Sequence, residues 1–160
     1  MVLFDLTMHD AEAGLAGLNR RLEALGAHYC WPTWAQGALQ VGLDEWISNI
    51  IEHGYCDTSG RGPVRVVVAV SAKATGKASG AQAGVIFARV EDWGPGFDPT
   101  RVRVAAGGCS GVLNASLHTS LDAGLSAPLG QGLRLLRHLC SGLRYHRSRG
   151  CNRLSLQVPA

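Results

Sequence analysis

The sequence predicts a two-layer α/β (α+β) sandwich, in which a mixed, mostly antiparallel sheet carries helices on one face. The predicted elements run strand, helix, helix, strand, strand, loop, helix, strand, strand, without the regular βαβ alternation of a parallel sheet. The chain has 160 residues, 46% of them hydrophobic and 17% charged, which fits one globular domain with a single core. We therefore expect one domain over residues 1–160.

The N-terminal part predicts one strand and two helices. Residues 2–6 are apolar with a loose alternation and predict a short strand. From Asp10 to Gly26, leucines recur at helical spacing, with Asp10 as the N-cap and Gly26 as the C-terminal stop. Pro32 suits the first turn of a second helix, which runs to about Gly54 with an apolar face towards the core.

Two strands are predicted in the middle of the chain. Residues 65–70 are rich in β-branched side chains, and residues 83–91 form an apolar run that leads directly into Asp92. The stretch 71–82, rich in Ala, Gly, Ser and Lys, predicts the loop between them.

The C-terminal part predicts a lid, a helix and a hairpin. Residues 99–129 are rich in Gly, Ala and Ser and show little periodicity, which in a small domain indicates a functional lid. A helix is expected at about 130–140, and two short strands at about 143–147 and 153–158, joined by a turn at 148–150.

Composition restricts the environment of the protein. The five cysteines are odd in number, widely separated and without a C-x-x-C pair, which predicts reduced, mostly buried thiols. His53 and Cys56 have a spacing that suits a metal, but no second pair completes four ligands. No apolar run could cross a bilayer, and the N-terminus lacks the features of a secretory signal. We expect a cytoplasmic protein without membrane association.

The charge is unevenly distributed along the chain. The net charge is +3, and after Pro99 the only acidic residue is Asp122, whereas arginines are frequent. The phosphates of a nucleotide, an acidic protein surface and nucleic acid are all possible partners of this basic half. Nucleic acid is the least favoured, since no recognition helix or stacking-aromatic motif accompanies the charge.

Glu45 and Asn49 lie one turn apart on the second predicted helix. A solvated polar face would explain either residue alone. Asparagine is, however, a poor residue in the middle of a helix, because its side chain competes for backbone hydrogen bonds. Its amide oxygen is a suitable ligand for Mg²⁺, and a glutamate one turn earlier could polarise a hydroxyl beside a terminal phosphate.

Asp92 lies where a predicted strand ends and a turn with Gly94 and Gly96 begins. An acid at such a place is most often a turn former. Here the two glycines would let a flat ring approach the backbone, so that Asp92 accepts a hydrogen bond from an exocyclic amine. Adenine carries that amine, whereas guanine presents an oxygen. A lost hydrogen bond to a charged group costs about 1.5–3 kcal/mol, or roughly tenfold to a hundredfold in affinity.

A third motif, Gly130-Gln131-Gly132-Leu133, opens the last predicted helix. Bare N–H groups and the helix dipole favour an anion there. The motif is neither a P-loop nor a Rossmann fingerprint, and alone it is weak evidence. The order and the complementary chemistry of the three motifs together indicate a nucleotide with its magnesium ion.

These motifs resemble those of the GHKL (histidine-kinase-like) ATPase superfamily, and most closely the anti-sigma-factor serine kinases. Residues 44–55 resemble E-x-x-x-N followed by E-H-x-Y, and residues 91–99 resemble D-x-G-x-G-F-D-P. Residues 129–136 are similar to G-x-G-L-x-L-I, and residues 149–156 to the closing hairpin G-x-N-x-L-x-L. The resemblance implies a Bergerat-type ATP-binding fold.

The resemblance also implies roles for single residues. Asn49 would coordinate Mg²⁺, Glu45 would be the general base for a serine hydroxyl, and Asp92 would bind the adenine amine. Residues 99–129 would form the ATP lid. The other cofactor-binding residues that the resemblance implies are His53, Gly94, Gly96, Gly130, Gln131, Gly132 and Leu133.

The activity implied by the resemblance is that of an ATP- and Mg²⁺-dependent serine kinase. Its partners would be an anti-anti-sigma protein of the STAS type, a sigma factor and a second copy of the chain. The alternative is a catalytically silent regulator whose protein binding is gated by ATP or ADP. The ATPase domain of a histidine kinase is disfavoured, because a helical domain with the phosphorylated histidine has no room in 160 residues.

Overall fold

A computed structural model of the chain describes residues 1–55, 62–71, 84–98 and 137–160. These residues form a five-stranded sheet, two helices and one π-helical turn. The elements are β1 (Val2–Met8), α1 (Ala11–Tyr29), α2 (Thr33–Asn49), the π-helical turn (Ile50–Gly54), β2 (Val64–Val70), β3 (Val85–Asp92), β4 (Gly142–Ser148) and β5 (Cys151–Pro159).

The sheet has the strand order β1-β2-β3-β5-β4. Within the described residues, all four neighbouring pairs are antiparallel. Both helices pack on one face of this sheet, and the predicted two-layer architecture is confirmed.

The core lies between the helices and the sheet. Alternate residues of the central strands face the helices, as the two-residue period of a strand requires. The fully buried side chains of this core include Leu18, Leu22, Leu39, Leu43, Ile47, Val64, Val66, Ile86, Leu154 and Leu156. Asp92 and Asn152 lie in the same register as these core-facing strand residues, so the fold buries two polar groups at one end of the core.

Helix α1 begins as predicted and ends later than predicted. Asp10 is the N-cap, and its carboxylate accepts a hydrogen bond of 3.0 Å from the Ala13 N–H. The helix continues through Gly26 to Tyr29 and stops at Cys30, which is left-handed with φ 54°. The predicted stop at Gly26 is wrong because this glycine serves helix packing: a Cβ there would collide with the side chain of Gln36 on α2.

The second predicted helix has two parts. Helix α2 starts directly after Pro32, and at Asn49 it gives way to the π-helical turn, in which the Tyr55 N–H donates to the Ile50 carbonyl over 3.1 Å. A π-helical turn inserts an extra residue and often occurs at functional sites. Hydrophobic periodicity predicted the length of this segment but not the change in hydrogen bonding.

The closing hairpin agrees with the sequence prediction. Strands β4 and β5 are joined by Arg149 and Gly150, which have φ of 51° and 78°. Two positive φ values fit a two-residue hairpin turn. The predicted lid (99–129) and most of the predicted helix (130–140) lie outside the described residues, although residues 137–139 are helical.

Two further sequence predictions concern thiols and membranes. The described cysteines form no disulfide; Cys140 and Cys151 are half-buried, whereas Cys30 is exposed, so the prediction of a buried thiol is wrong there. None of the described helices is long and apolar enough to cross a membrane.

Candidate functional site

The first two sequence motifs lie against each other. Strand β3 ends at Asp92, and the turn that follows packs on the π-helical turn. A Cβ built on Gly94 would lie 2.5 Å from the Gly54 carbonyl oxygen. A second contact joins the segment after β3 to α2, since the rings of Trp46 and Phe97 stack at 6.0 Å and 20°. The fold therefore brings the Glu45–Asn49 helix and the Asp92 turn to one place.

The Asp92 carboxylate is buried, with 2% of the residue exposed. Its Oδ1 accepts hydrogen bonds from the Gly94 N–H at 3.0 Å and from the Asn152 amide at 2.7 Å, and neither bond uses Oδ2. Burial raises the pKa of Asp92 above its ordinary value, although Asn152, Gly94 and Arg147 oppose the shift. A buried carboxylate whose Oδ2 accepts no hydrogen bond from the described residues suits a ligand that donates one.

Asn152 is the residue that joins the C-terminal hairpin to this carboxylate. It lies opposite Asp92 in the β3–β5 register and is 3% exposed. Its Nδ2 also approaches the carbonyls of Gly94 and Pro95, at 3.2 and 3.0 Å. The closing-hairpin motif of the sequence includes Asn152 but implies no role for it. The feature that could have revealed it is its position, two and four residues before the buried Leu154 and Leu156, on the same face of the strand.

Arg147, on strand β4, bonds to the turn that follows Asp92. Its Nη1 donates to the Gly94 carbonyl over 2.9 Å and also to Asn152 Oδ1. A Cβ on Gly96 would lie 3.0 Å from the Arg147 Cδ. Gly54 and Arg147 are therefore the residues that limit the room for a side chain at Gly94 and Gly96. The expected contact of both glycines with an adenine ring remains a prediction.

Tyr55 fastens the π-helical turn to the Asp92 turn. It is 8% exposed, and its hydroxyl donates to the Pro63 carbonyl at 2.8 Å and accepts from the Trp93 N–H at 3.0 Å. Burial raises the pKa of the Tyr55 hydroxyl, and the bond from Trp93 partly offsets this. The hydroxyl therefore stays protonated and connects both segments.

Glu45 and Asn49 are paired on α2. Asn49 is 8% exposed, and its Nδ2 donates to the Glu45 carbonyl at 2.6 Å and to Glu45 Oε1 at 3.4 Å. Both partners are acceptors, so the amide nitrogen must occupy this position. Asn49 Oδ1 is then the atom of the amide that a cation could use. The alternative of a solvated polar face does not hold at Asn49, because this side chain is buried.

His53 is paired with Glu52. Its side chain is 45% exposed and its Nε2 lies 3.7 Å from a carboxylate oxygen of Glu52, which is 62% exposed. Among the described residues, no hydrogen bond or ion pair joins His53 to Glu45, Asn49 or Asp92. Its supporting role stays a prediction.

The third motif belongs to a part of the chain that the structure does not describe. Gly130, Gln131, Gly132 and Leu133 lie outside the described residues, as does the lid at 99–129. Within the described ranges, no group of three or more His, Cys, Asp or Glu side chains could hold a metal. A magnesium ion held by one amide oxygen, phosphates and water needs no such group.

Comparison with known proteins agrees with this fold. The family model of the histidine kinase-like ATPase domain matches residues 9–158. Among solved structures, the RsbU and RsbW domains of Rv1364c from Mycobacterium tuberculosis resemble the chain with a TM-score of 0.57 and 16% identity. The match covers 98% of this chain but 33% of that one, so the chain spans a third of its length. The search of curated proteins gave no match. The chain belongs to the histidine kinase-like ATPase domain family.

Proposed function

We propose that this protein is an ATP-dependent serine kinase that binds and phosphorylates a STAS-type anti-anti-sigma protein. The observation that supports the proposal is the close approach of Gly94 to Gly54, since it joins the segment that carries the Glu45–Asn49 pair to the turn that follows the buried Asp92. Membership of the ATPase family and the fold likeness to an RsbW domain support an ATP-binding regulator of the anti-sigma type.

Asp92 would bind the base. Its Oδ1 is held by two donors, so Oδ2 can accept the exocyclic amine of adenine. Burial strengthens this bond, because water does not compete for the carboxylate. Guanine would present a carbonyl oxygen to the same carboxylate and be repelled.

Asn49 would hold the magnesium ion that accompanies the phosphates. The fit rests on the fixed amide, whose nitrogen is bonded to Glu45 and whose oxygen accepts no hydrogen bond in the described part of the chain. A magnesium ion there would offset phosphate charge and align the terminal phosphate. Gly130, Gln131, Gly132 and Leu133 would contribute backbone donors to the phosphates, and residues 99–129 would close over them.

Glu45 would act as the general base. As the serine oxygen of the partner bonds to the γ-phosphorus, its proton passes to the Glu45 carboxylate, and the bond from the γ-phosphorus to the bridging oxygen breaks to leave ADP. This type of transfer depends on position and electrostatics more than on covalent chemistry by the protein. A base contributes typically 10²–10⁴-fold to such a rate.

The basic C-terminal half would meet the protein partner. Arginines outnumber acids there, which suits an acidic protein surface. The proposed regulator would also bind a sigma factor and would act as a homodimer. It would act in the cytoplasm.

The test is phosphotransfer with a matched pair of variants. Radiolabelled ATP, Mg²⁺ and a STAS protein encoded beside this chain are incubated with wild type, Glu45→Gln and Glu52→Gln. Gln keeps an acceptor for the Asn49 amide but removes the base, so label transfer should fall at least 10²-fold for Glu45→Gln. Glu52→Gln changes an exposed carboxylate on the π-helical turn and should retain the rate. Label transfer that survives Glu45→Gln contradicts the proposed mechanism.

One observation favours the silent regulator as a second candidate. Glu45 Oε1 accepts a hydrogen bond from Asn49, so this carboxylate has a structural use without catalysis. Under this alternative, the wild type binds ATP and the partner, transfers no label, and Glu45→Gln leaves the ATP dependence of partner binding unchanged.

A further inference from the structure

We propose that Asn152 is the positioning residue that sets the base specificity of the site, and that Arg147 and Tyr145 fix the orientation of its amide. The inference deepens the proposed function and rests on ATP binding there. It stands on a chain of hydrogen bonds that runs from strand β4 through β5 to the end of β3.

The Asn152 amide has one possible orientation. Its Oδ1 accepts from the Tyr145 hydroxyl at 2.7 Å and from the Arg147 guanidinium, and a guanidinium cannot accept a hydrogen bond. A flipped amide would place its NH₂ against Arg147 and its oxygen against Asp92. Nδ2 must therefore point to Asp92 Oδ1, where it lies at 2.7 Å.

This orientation decides which oxygen of Asp92 meets a ligand. The Gly94 N–H and the Asn152 amide both hold Oδ1, so the carboxylate cannot rotate without losing two hydrogen bonds. Oδ2 remains as an acceptor. Both donors also favour the ionised carboxylate, which can accept a hydrogen bond from a base but cannot donate one.

The site should therefore distinguish nucleotides by their base and not by their phosphates. ATP carries an exocyclic amine that donates to Oδ2, whereas ITP carries a carbonyl at the same place. Without the Asn152 donor, the buried carboxyl turns more freely and holds a proton more readily. A protonated carboxyl can donate to the carbonyl of ITP. Loss of Asn152 should therefore narrow the difference between ATP and ITP.

The groups around Asp92 that carry or can gain charge come from three elements. Arg147 approaches from β4, Tyr55 from the end of the π-helical turn, and Cys151 from β5. None of them donates directly to Asp92 in the described residues, so Asn152 and Gly94 supply the bonds that orient it. Asn152 is the one of these two donors that a side-chain substitution can remove.

The experiment compares the affinities of ATP and ITP by titration calorimetry. Wild type should prefer ATP by roughly tenfold or more. In Asn152→Ala the ATP affinity should fall about tenfold while the ITP affinity changes little, and Asn152→Ser, which keeps a donor, should restore part of the ratio. Ser155→Ala, on the opposite face of the same strand, is the matched control and should leave both affinities unchanged.

Each outcome has one meaning. Equal weakening of ATP and ITP in Asn152→Ala, or an unchanged ratio, overturns the inference. A wild type that binds ATP and ITP equally also overturns it, whereas a wild type that binds neither nucleotide contradicts the proposed function itself. If thermal denaturation shows that Asn152→Ala is unfolded, the double variant Tyr145→Phe/Arg147→Met frees the amide to flip, and the same ratio test applies.

Discussion

Gly94 lies directly against the carbonyl group of Gly54. A Cβ on Gly94 would lie 2.5 Å from that oxygen and 3.0 Å from the Gly54 carbonyl carbon and Cα. In the described part of the chain, the positive φ of a glycine is confined to Gly150, so Gly94 is needed for its missing side chain and not for its conformation. Two motifs about forty residues apart in sequence are thereby joined by backbone contact.

Gly94→Ala should separate these motifs. The colliding atoms belong to the backbone and cannot turn aside, so we expect a loss of about 1–3 kcal/mol in the free energy of unfolding and loss of nucleotide binding. Denaturant unfolding and ATP titration measure both effects. Gly37→Ala on α2 is the control, because nothing lies within 4 Å of its Cβ. Alanine there should be neutral or stabilising, and a Gly94→Ala protein that binds ATP normally would contradict the prediction.

Asp92→Asn should weaken ATP binding and leave the folded protein as stable as wild type or more stable. Burial raises the pKa of Asp92 above its ordinary value of 3.8, so the folded state binds this proton more tightly than the unfolded state does. The contribution of Asp92 to stability therefore falls as the pH rises from 3.8 through the raised pKa, and the ionised carboxylate costs stability at neutral pH. A neutral amide removes that cost.

Thermal unfolding over a pH series measures this effect. At neutral pH, Asp92→Asn should unfold at the same temperature as wild type or higher, and its advantage should shrink towards acid pH. Its ATP affinity should drop roughly tenfold to a hundredfold. A variant that is clearly less stable than wild type at neutral pH would show that the hydrogen bonds to Asp92 outweigh its burial.

The sequence predicted those features that depend on local periodicity. A run of β-branched residues predicts β2, and leucines at helical spacing predict α1, because both patterns are local properties of the sequence. Asp10 was identified as an N-cap since capping depends on neighbouring residues. The Glu45–Asn49 pair was found for the same reason, as both residues lie on one helix.

Features that depend on contact between distant segments were not predictable in this way. The local sequence predicts a helix stop at Gly26, because it does not reveal the packing of this glycine against Gln36. Asn152 received no role, because its partners on β3 and β4 are known only once the strand register is known. Ion pairs between neighbouring strands are likewise not predictable from the local sequence, because they depend on the strand register.

Glu91→Gln tests the largest of these pairings. Glu91 is 3% exposed and forms ion pairs with arginines on three strands: Arg65 at 3.2 Å, Arg89 at 3.2 Å and Arg153 at 2.7 Å. The three guanidinium groups lose their shared anion in the variant and repel one another. We expect a loss of about 1.5–3 kcal/mol in the free energy of unfolding, measured by denaturant titration.

Salt separates this effect from simple packing loss. The repulsion is between partly exposed charges, so added salt should recover part of the stability of Glu91→Gln. Asp5→Asn is the control, since Asp5 pairs with Arg65 at an exposed position and its removal should have little effect. A Glu91→Gln protein as stable as wild type at low salt would show that water replaces the carboxylate.

Asn49→Ala should uncouple nucleotide binding from magnesium. In the wild type, chelation of Mg²⁺ should weaken ATP binding, because the ion links the phosphates to the Asn49 amide oxygen in the proposed complex. The variant should bind ATP more weakly with Mg²⁺ and lose little more when the ion is chelated. Asn19→Ala is a matched control, since the Asn19 amide also bonds to a carboxylate of α2, Asp44, at 3.0 and 3.1 Å, but outside the proposed site. It should retain the full magnesium response. Asn49 also donates to Glu45, so it has a structural role in the helix that does not involve magnesium. An Asn49→Ala variant that binds ATP like wild type, with the magnesium response intact, would show that this structural role is its only one and would contradict the prediction.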